Sequence, residues 1–343
     1  MMSQTLIITG MHRSGTSLTA SFIQALGINL GENFFAADIF NAKGYFEDLD
    51  FLEFQRTILQ NCCRQGEAGW TDWGWTESEW LDRDNFHNYI EPAKELIASR
   101  HQKSAFWGWK DPRTSLMLDF WEQLLPEARF LLVYRLPWDV ADSILRLNSG
   151  IFTEHPEYPL KVWAFYNRHL LDFYARHSDR CILVNINTLL QSPTRLVELL
   201  ETKLNLKVAS DYEPARLKEI YDSSLFNSLG RQHPLVQLLQ HIAPQYFSLL
   251  ADLDRVADIP SDFSQEPTSG NISHPECLPL LLYRQAFENQ GQLQNLYRQI
   301  QQDKIELESQ IVQLKQENAI LKSSKVWKLH RALSKIKKLA KIN

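Results

Sequence analysis

Leu6-Ile-Ile-Thr-Gly-Met-His-Arg-Ser-Gly-Thr-Ser17 is the stretch that decides the fold. Its apolar start predicts a short buried strand over Leu6–Thr9. Gly10 and Gly15 bracket a tight turn, and an apolar helical pattern follows from Thr16 to about Leu26. Gly10-x-x-x-x-Gly15-Thr16-Ser17 has the spacing of a P-loop between a strand and a helix. Glycines let successive backbone N–H groups face one anion, and the helix start adds its positive dipole end. In a nucleotide triphosphatase a lysine would follow Gly15. Here Thr16 stands there, and Arg13 is the cation of the loop.

Outward from the loop, short apolar runs alternate with helical patterns. Further strands are predicted at Ala105–Trp109, Phe130–Tyr134 and Ile182–Val184. Helices are predicted at about Leu49–Cys62, Asn85–Ser99, Trp138–Leu147, Pro159–Arg176 and Thr194–Lys203. Strands bracketed by helices imply an α/β fold with a P-loop-type parallel sheet flanked by helices. Ligands of such sheets bind beyond the carboxyl ends of the strands. Gly10–Ser17, Lys110–Arg113 and Arg135 all follow strands, so they are expected at one rim.

The 343 residues are 44% hydrophobic with a net charge of −5, which supports one sizeable core and gives no polyanion-binding signature. No nucleic-acid partner is expected. Cys62 and Cys63 are adjacent, and Cys181 and Cys277 stand alone, so neither a disulfide framework nor a metal-ligand spacing is present. This usage points to a reducing compartment. Leu6–Ile8 is too short for a secretory leader, and no run reaches the roughly 20 apolar residues of a bilayer span. A cytoplasmic chain is expected.

Met11-His-Arg-Ser-Gly-Thr-Ser17 resembles the 5′-phosphosulfate loop of sulfotransferases that use 3′-phosphoadenosine-5′-phosphosulfate (PAPS), in the bacterial and Golgi-type branch with arginine in the loop. Arg135-Leu-Pro-Trp-Asp-Val-Ala-Asp-Ser143 resembles that family's 3′-phosphate motif, in which a guanidinium and a helical hydroxyl grip a phosphate. The resemblance covers about Thr5–Leu206. It implies in-line sulfuryl transfer from PAPS to a glycan or other hydroxyl acceptor, without a metal. It implies Gly10, His12, Arg13, Ser14, Gly15, Thr16, Ser17, Arg135 and Ser143 as donor-binding residues. Arg13 would face the departing phosphate oxygen. Trp107-Gly-Trp-Lys-Asp-Pro-Arg113 resembles the Lys-Asp-Pro stretch of tyrosylprotein sulfotransferases, which implies Lys110 near the sulfuryl group. The family places a glutamate base after the first helix, and Glu47 matches that place.

Asp48, adjacent to Glu47, and His12, inside the loop, compete with it for the base, and each of these residues also has a plainer role. Lys110 can pair with Asp111 or a nearby carboxylate, Asp48 can cap the helix starting near Leu49, and His12 can pack the loop. Arg113 can orient substrate or cap the next helix. Trp70, Trp73, Trp75 and Trp80 form either a strip packed on the core or a platform for a sugar or an adenine. Two rival functions remain. A P-loop kinase or NTPase would need the loop lysine, and an aspartate for magnesium where Arg135 stands. A non-catalytic coiled-coil scaffold with a degenerate nucleotide-binding domain sits poorly with the retention of Arg13, Arg135 and Ser143.

The composition predicts a sulfotransferase-like domain over residues 1–257 and a linker over 258–280. A coiled coil is predicted over 281–322 and a basic amphipathic tail over 323–343. Tyr297, Ile300, Lys304, Leu307, Ile311, Leu314, Asn318 and Leu321 form an a/d seam, and Asn318 at an a position favours two strands. A homodimer is expected from this seam, with a helix packed back on the globular domain as the alternative. No acidic residue follows Glu317, and Val326, Leu329, Leu333, Ile336 and Ala340 oppose Lys328, Arg331, Lys335 and Lys338. Such a helix suits peripheral contact with an anionic inner membrane face, with Trp327 as anchor.

Overall fold

Four strands form one parallel sheet in the order β2-β1-β3-β4: β1 Gln4–Thr9, β2 Phe106–Lys110, β3 Arg129–Tyr134 and β4 Cys181–Asn185. The computed structural model describes residues 4–35, 45–63, 70–147, 150–207, 228–264 and 278–323. It divides into two compact units, Met1–Ile272 and Ser273–Asn343.

The strands are buried on both faces because each carries apolar residues in both alternating sets. Leu6, Ile8, Leu131, Val133, Ile182 and Val184 pack with α1 (Thr16–Ala25) and with a helix over Pro193–Thr202. Ile7, Trp109, Phe130, Leu132 and Leu183 face a larger, aromatic cluster. There Phe51 of α2 (Leu49–Cys62) stacks on Trp109 at 4.2 Å between ring centroids. Gln55 ties this cluster together, accepting from Thr114 Oγ1 at 2.7 Å and from Trp121 Nε1 at 3.3 Å.

Among the described residues, the predicted strands and helices are present within a few residues. One differs in kind. Asp84–Tyr89 is a 3-10 turn, and the α-helix begins at Ile90 and runs to His101. Pro92 then falls in the first turn, where its missing N–H costs no intrahelical bond. Helix starts at Pro137 and Pro193 obey the same rule.

The connection out of β1 leads to β2 on one side, while that out of β3 leads to β4 on the other. A crevice therefore opens between the carboxyl ends of β1 and β3, the usual ligand position in such sheets. Helices Pro137–Leu145 and Tyr158–His177 pack together on one flank of it.

Asp258–Ser261, read from composition as the start of a linker, is packed structure. Ile259 is buried and its carbonyl accepts from Asn185 N at 2.7 Å. The Asp258 carboxylate bonds to Leu183 N and Lys203 Nζ, and Ser261 bonds to Asp254. The polar residues that suggested a linker are here paired across the end of β4. Residues 265–277 lie outside the described residues, as does the basic tail predicted over 323–343 beyond Ser323.

In the second unit one helix spans Leu278–Ser323. Tyr297, Ile300, Leu307, Ile311, Leu314 and Leu321 are all about half exposed or more. Among the described residues, no helix is long and apolar enough to cross a membrane.

Candidate active site

The loop after β1 is built for close approach. A Cβ on Gly10 would lie 2.0 Å from the Val133 carbonyl oxygen, so no side chain fits between the loop and β3. Gly15, at φ +86°, precedes α1 in the left-handed region, and a Cβ there would meet Ile186 at 2.5 Å. Arg13 also adopts a positive φ of 66°. Ser14 is fully buried, and its Oγ has no hydrogen-bond partner among the described residues. A buried hydroxyl without a partner, inside a glycine turn at a helix start, is a donor set for an anion.

The Arg135–Ser143 stretch converges on this loop. Arg13 Nε donates to Ser143 Oγ over 3.0 Å, and Arg135 Nη1 donates to the Arg13 carbonyl at 3.3 Å. Arg135 is held from behind. Its Nε lies 3.9 Å from Asp139, one turn along the helix that begins at Pro137. Asp139 accepts from Ser228 Oγ, Leu229 N and Asn187 Nδ2, and burial pushes its carboxyl up despite the Arg135 charge. Trp163 Nε1 donates to the Arg135 carbonyl at 2.9 Å. Asp139 stands four residues after Arg135, a spacing the sequence shows, whereas nothing local marked Asn187 or Trp163, because their partners lie on other elements.

Lys110, the last residue of β2, sits beside the loop. Its Nζ donates to Ser17 Oγ at 3.0 Å, to the Tyr45 carbonyl at 2.7 Å and to Glu47 Oε1 at 2.5 Å. Its carboxylate partner is thus Glu47 and not Asp111. Ser17 Oγ in turn donates to the Tyr45 carbonyl at 3.0 Å. Glu47 is buried, and its second oxygen, Oε2, has no hydrogen-bond partner among the described residues. Burial pushes the Glu47 carboxyl above the ordinary glutamate value, and the Lys110 charge opposes that rise.

The neighbouring candidates are separated by geometry. Phe46 takes a φ of 60° and turns the chain between Tyr45 and Glu47. Asp48 then faces the other way: it caps α2 through Asp50 N at 3.1 Å and pairs with Arg100 at 2.7 Å. His12 packs against Trp73 with the rings tilted at 47° and 4.3 Å between centroids. Burial, followed by the charges of Arg113, Lys110 and Arg13, holds its imidazole well below the usual histidine value, so it is neutral at pH 7. Arg113 is buried between Asp111 at 3.1 Å and Asp72 at 3.2 Å. Asp72 also receives Arg56 Nε at 2.9 Å, so two arginines hold the short helix Trp70–Trp73 over the loop. The tryptophans divide. Trp75 is buried against Tyr158, Trp73 is half-buried on His12, and Trp80 is 52% exposed. The side chain of Trp70 lies outside the described residues.

A family model described as the sulfotransferase family matches residues 5–210. No curated protein matches the chain significantly. Among solved structures, the sulfotransferase STF9 from Mycobacterium avium is similar at 14% identity, covering 76% of this chain and 78% of that one, with a TM-score of 0.46. The sulfotransferase domain of the Synechococcus PCC 7002 olefin synthase is similar at 17% identity, covering 75% of this chain and 96% of that one, with a TM-score of 0.42.

Proposed function

Because the chain belongs to the sulfotransferase family, we propose that it moves a sulfuryl group from PAPS to the hydroxyl of a glycan by in-line displacement. The observation that carries this reading is the convergence of two anion sites with one buried carboxylate. The Gly10–Ser17 loop and the Arg135–Ser143 pair are joined through Arg13, and Glu47 stands beside them on Lys110. The donor supplies the activated sulfuryl group and a phosphate leaving group. Ser14 and the loop amides would hold the 5′ end, and Arg135 with Ser143 the 3′-phosphate.

Glu47 Oε2 would take the acceptor's hydroxyl proton as that oxygen bonds to sulfur. A carboxyl raised by burial is the stronger base for this task. Arg13 and the loop amides would stabilise the electron pair left on the departing phosphate oxygen. A glycan is favoured by the half-buried aromatic rings near Glu47. Phe35 and Tyr45 meet at 5.1 Å between centroids, and Phe35 N donates to the Glu47 carbonyl at 2.8 Å. Thermal-shift titration with adenosine 3′,5′-bisphosphate, against ATP with magnesium, tests the donor. Stabilisation by ATP with magnesium alone would favour a P-loop kinase instead.

The helix Leu278–Ser323 would pair with a second copy through its exposed a/d seam, in the cytoplasm. The basic tail would hold the pair on an anionic membrane face, near surface-assembled glycans.

A further inference from the structure

We propose that Lys110 is the positioning residue of the base, holding one oxygen of Glu47 so that the other receives the acceptor proton, and is not a ligand of the sulfuryl group. This rests on the sulfuryl-transfer reading above.

The argument is one of valence. An ammonium has three N–H donors and no acceptor. All three hydrogens of Lys110 have acceptors: Ser17 Oγ, the Tyr45 carbonyl and Glu47 Oε1. The side chain is 1% exposed, and these three acceptors account for its whole donor capacity. To reach a sulfuryl oxygen it would have to release one of three short bonds inside a buried site, which is costly there. The same three bonds explain the posture of Glu47. Oε1 is fixed at 2.5 Å, the chain two residues earlier is tied down at the Tyr45 carbonyl, and Ser17 Oγ adds a second bond to that carbonyl. Oε2 is the oxygen left to accept a proton. A cation that binds one carboxylate oxygen also keeps the base ionised in a buried site, where desolvation alone would protonate it. The Ser17 hydroxyl links this clamp to the donor loop.

The test is a double-mutant cycle. Hydrolysis of PAPS by water, followed as release of adenosine 3′,5′-bisphosphate, needs no identified acceptor. Lys110→Met in the otherwise native chain should slow it about a hundredfold, the usual scale for losing acid–base assistance. In a Glu47→Gln background the same change should slow it less than about threefold, because residues acting as one unit are non-additive. Equal fold losses in both backgrounds would overturn the proposal and make Lys110 a sulfuryl ligand. Each single variant strands one buried charge, and the double variant, which removes both, shows how much of either loss comes from the stranded partner. In parallel, the Glu47 carboxyl is titrated by carbon NMR in 13C-glutamate-labelled protein. Its midpoint should rise by about one to three pH units in Lys110→Met, and an unmoved midpoint would also overturn the proposal. A wild type that neither binds the bisphosphate nor hydrolyses PAPS would remove the sulfuryl-transfer reading, whatever the carboxyl titration gives.

Discussion

Arg13 Nε donates to Ser143 Oγ over 3.0 Å, which joins the loop after β1 to the helix after β3 across the crevice between those strands. Arg135 completes the junction through the Arg13 carbonyl. A ligand with phosphate at both ends would meet groups already arranged for it, with little reorganisation left to make on binding.

If Arg135 and Ser143 hold the 3′-phosphate, removing Arg135 acts on one end of the donor. Arg135→Ala should weaken adenosine 3′,5′-bisphosphate by about 1.5–3 kcal/mol, the range for a hydrogen bond to a charged group. Adenosine 5′-phosphosulfate, which lacks the 3′-phosphate, should bind the variant and the wild type alike. Calorimetric titration of both ligands checks this. Equal weakening of both would place Arg135 elsewhere.

Glu47→Gln should lower turnover roughly 10²–10⁴-fold while nucleotide affinity stays nearly constant. The base works only when ionised, so the wild-type rate should fall as the pH drops through the Glu47 pKa. Burial raises that pKa, so the fall should come above the ordinary glutamate value of about 4.3. Burial, followed by the charges of Arg113, Lys110 and Arg13, holds the His12 pKa well below the histidine value. His12→Gln should then leave the position of the acid limb unchanged. An acid limb that disappears in His12→Gln and persists in Glu47→Gln would make the histidine the base.

Gly10→Ala tests the loop as a close approach. The new Cβ would meet backbone, the Val133 carbonyl, and no side-chain rotation relieves it. The cost should be about 1–3 kcal/mol or more, as for overpacking a tight site. Urea unfolding midpoints measure it. A variant as stable as the wild type would mean that the loop can lift off β3.

Truncation before Ser273 removes the second unit. If the Tyr297–Leu321 seam pairs two copies, the full chain should scatter light as a dimer and the truncated chain as a monomer. The full chain should also float with anionic liposomes at low salt and release as salt rises. A monomeric full chain that stays off such vesicles would refute both parts.

What the sequence determined by itself is local. The strand–loop–helix over Leu6–Leu26 is legible because apolar periodicity and two glycines act within a few residues. The helix carrying Ser143 is legible for the same reason, since Arg135 and Ser143 share one strand–helix unit. Parallel pairing follows from the alternation of strands and helices. What only the tertiary structure decided is how distant charges share hydrogen bonds. Glu47 and Asp48 are neighbours of the same chemistry. Beyond the positive φ of Phe46, Asp48 is buried as the cap of α2 and paired with Arg100, while Glu47 pairs with Lys110 beside the loop. Lys110 lies 63 residues from Glu47 in sequence, and its saturation by three acceptors depends on a loop, a helix start and a strand meeting at one point. Spacing along a chain reports which groups can meet within one turn of structure. It does not report which of several buried donors and acceptors pair once the chain has closed on itself, because that choice is made by packing and by the cost of leaving any of them alone.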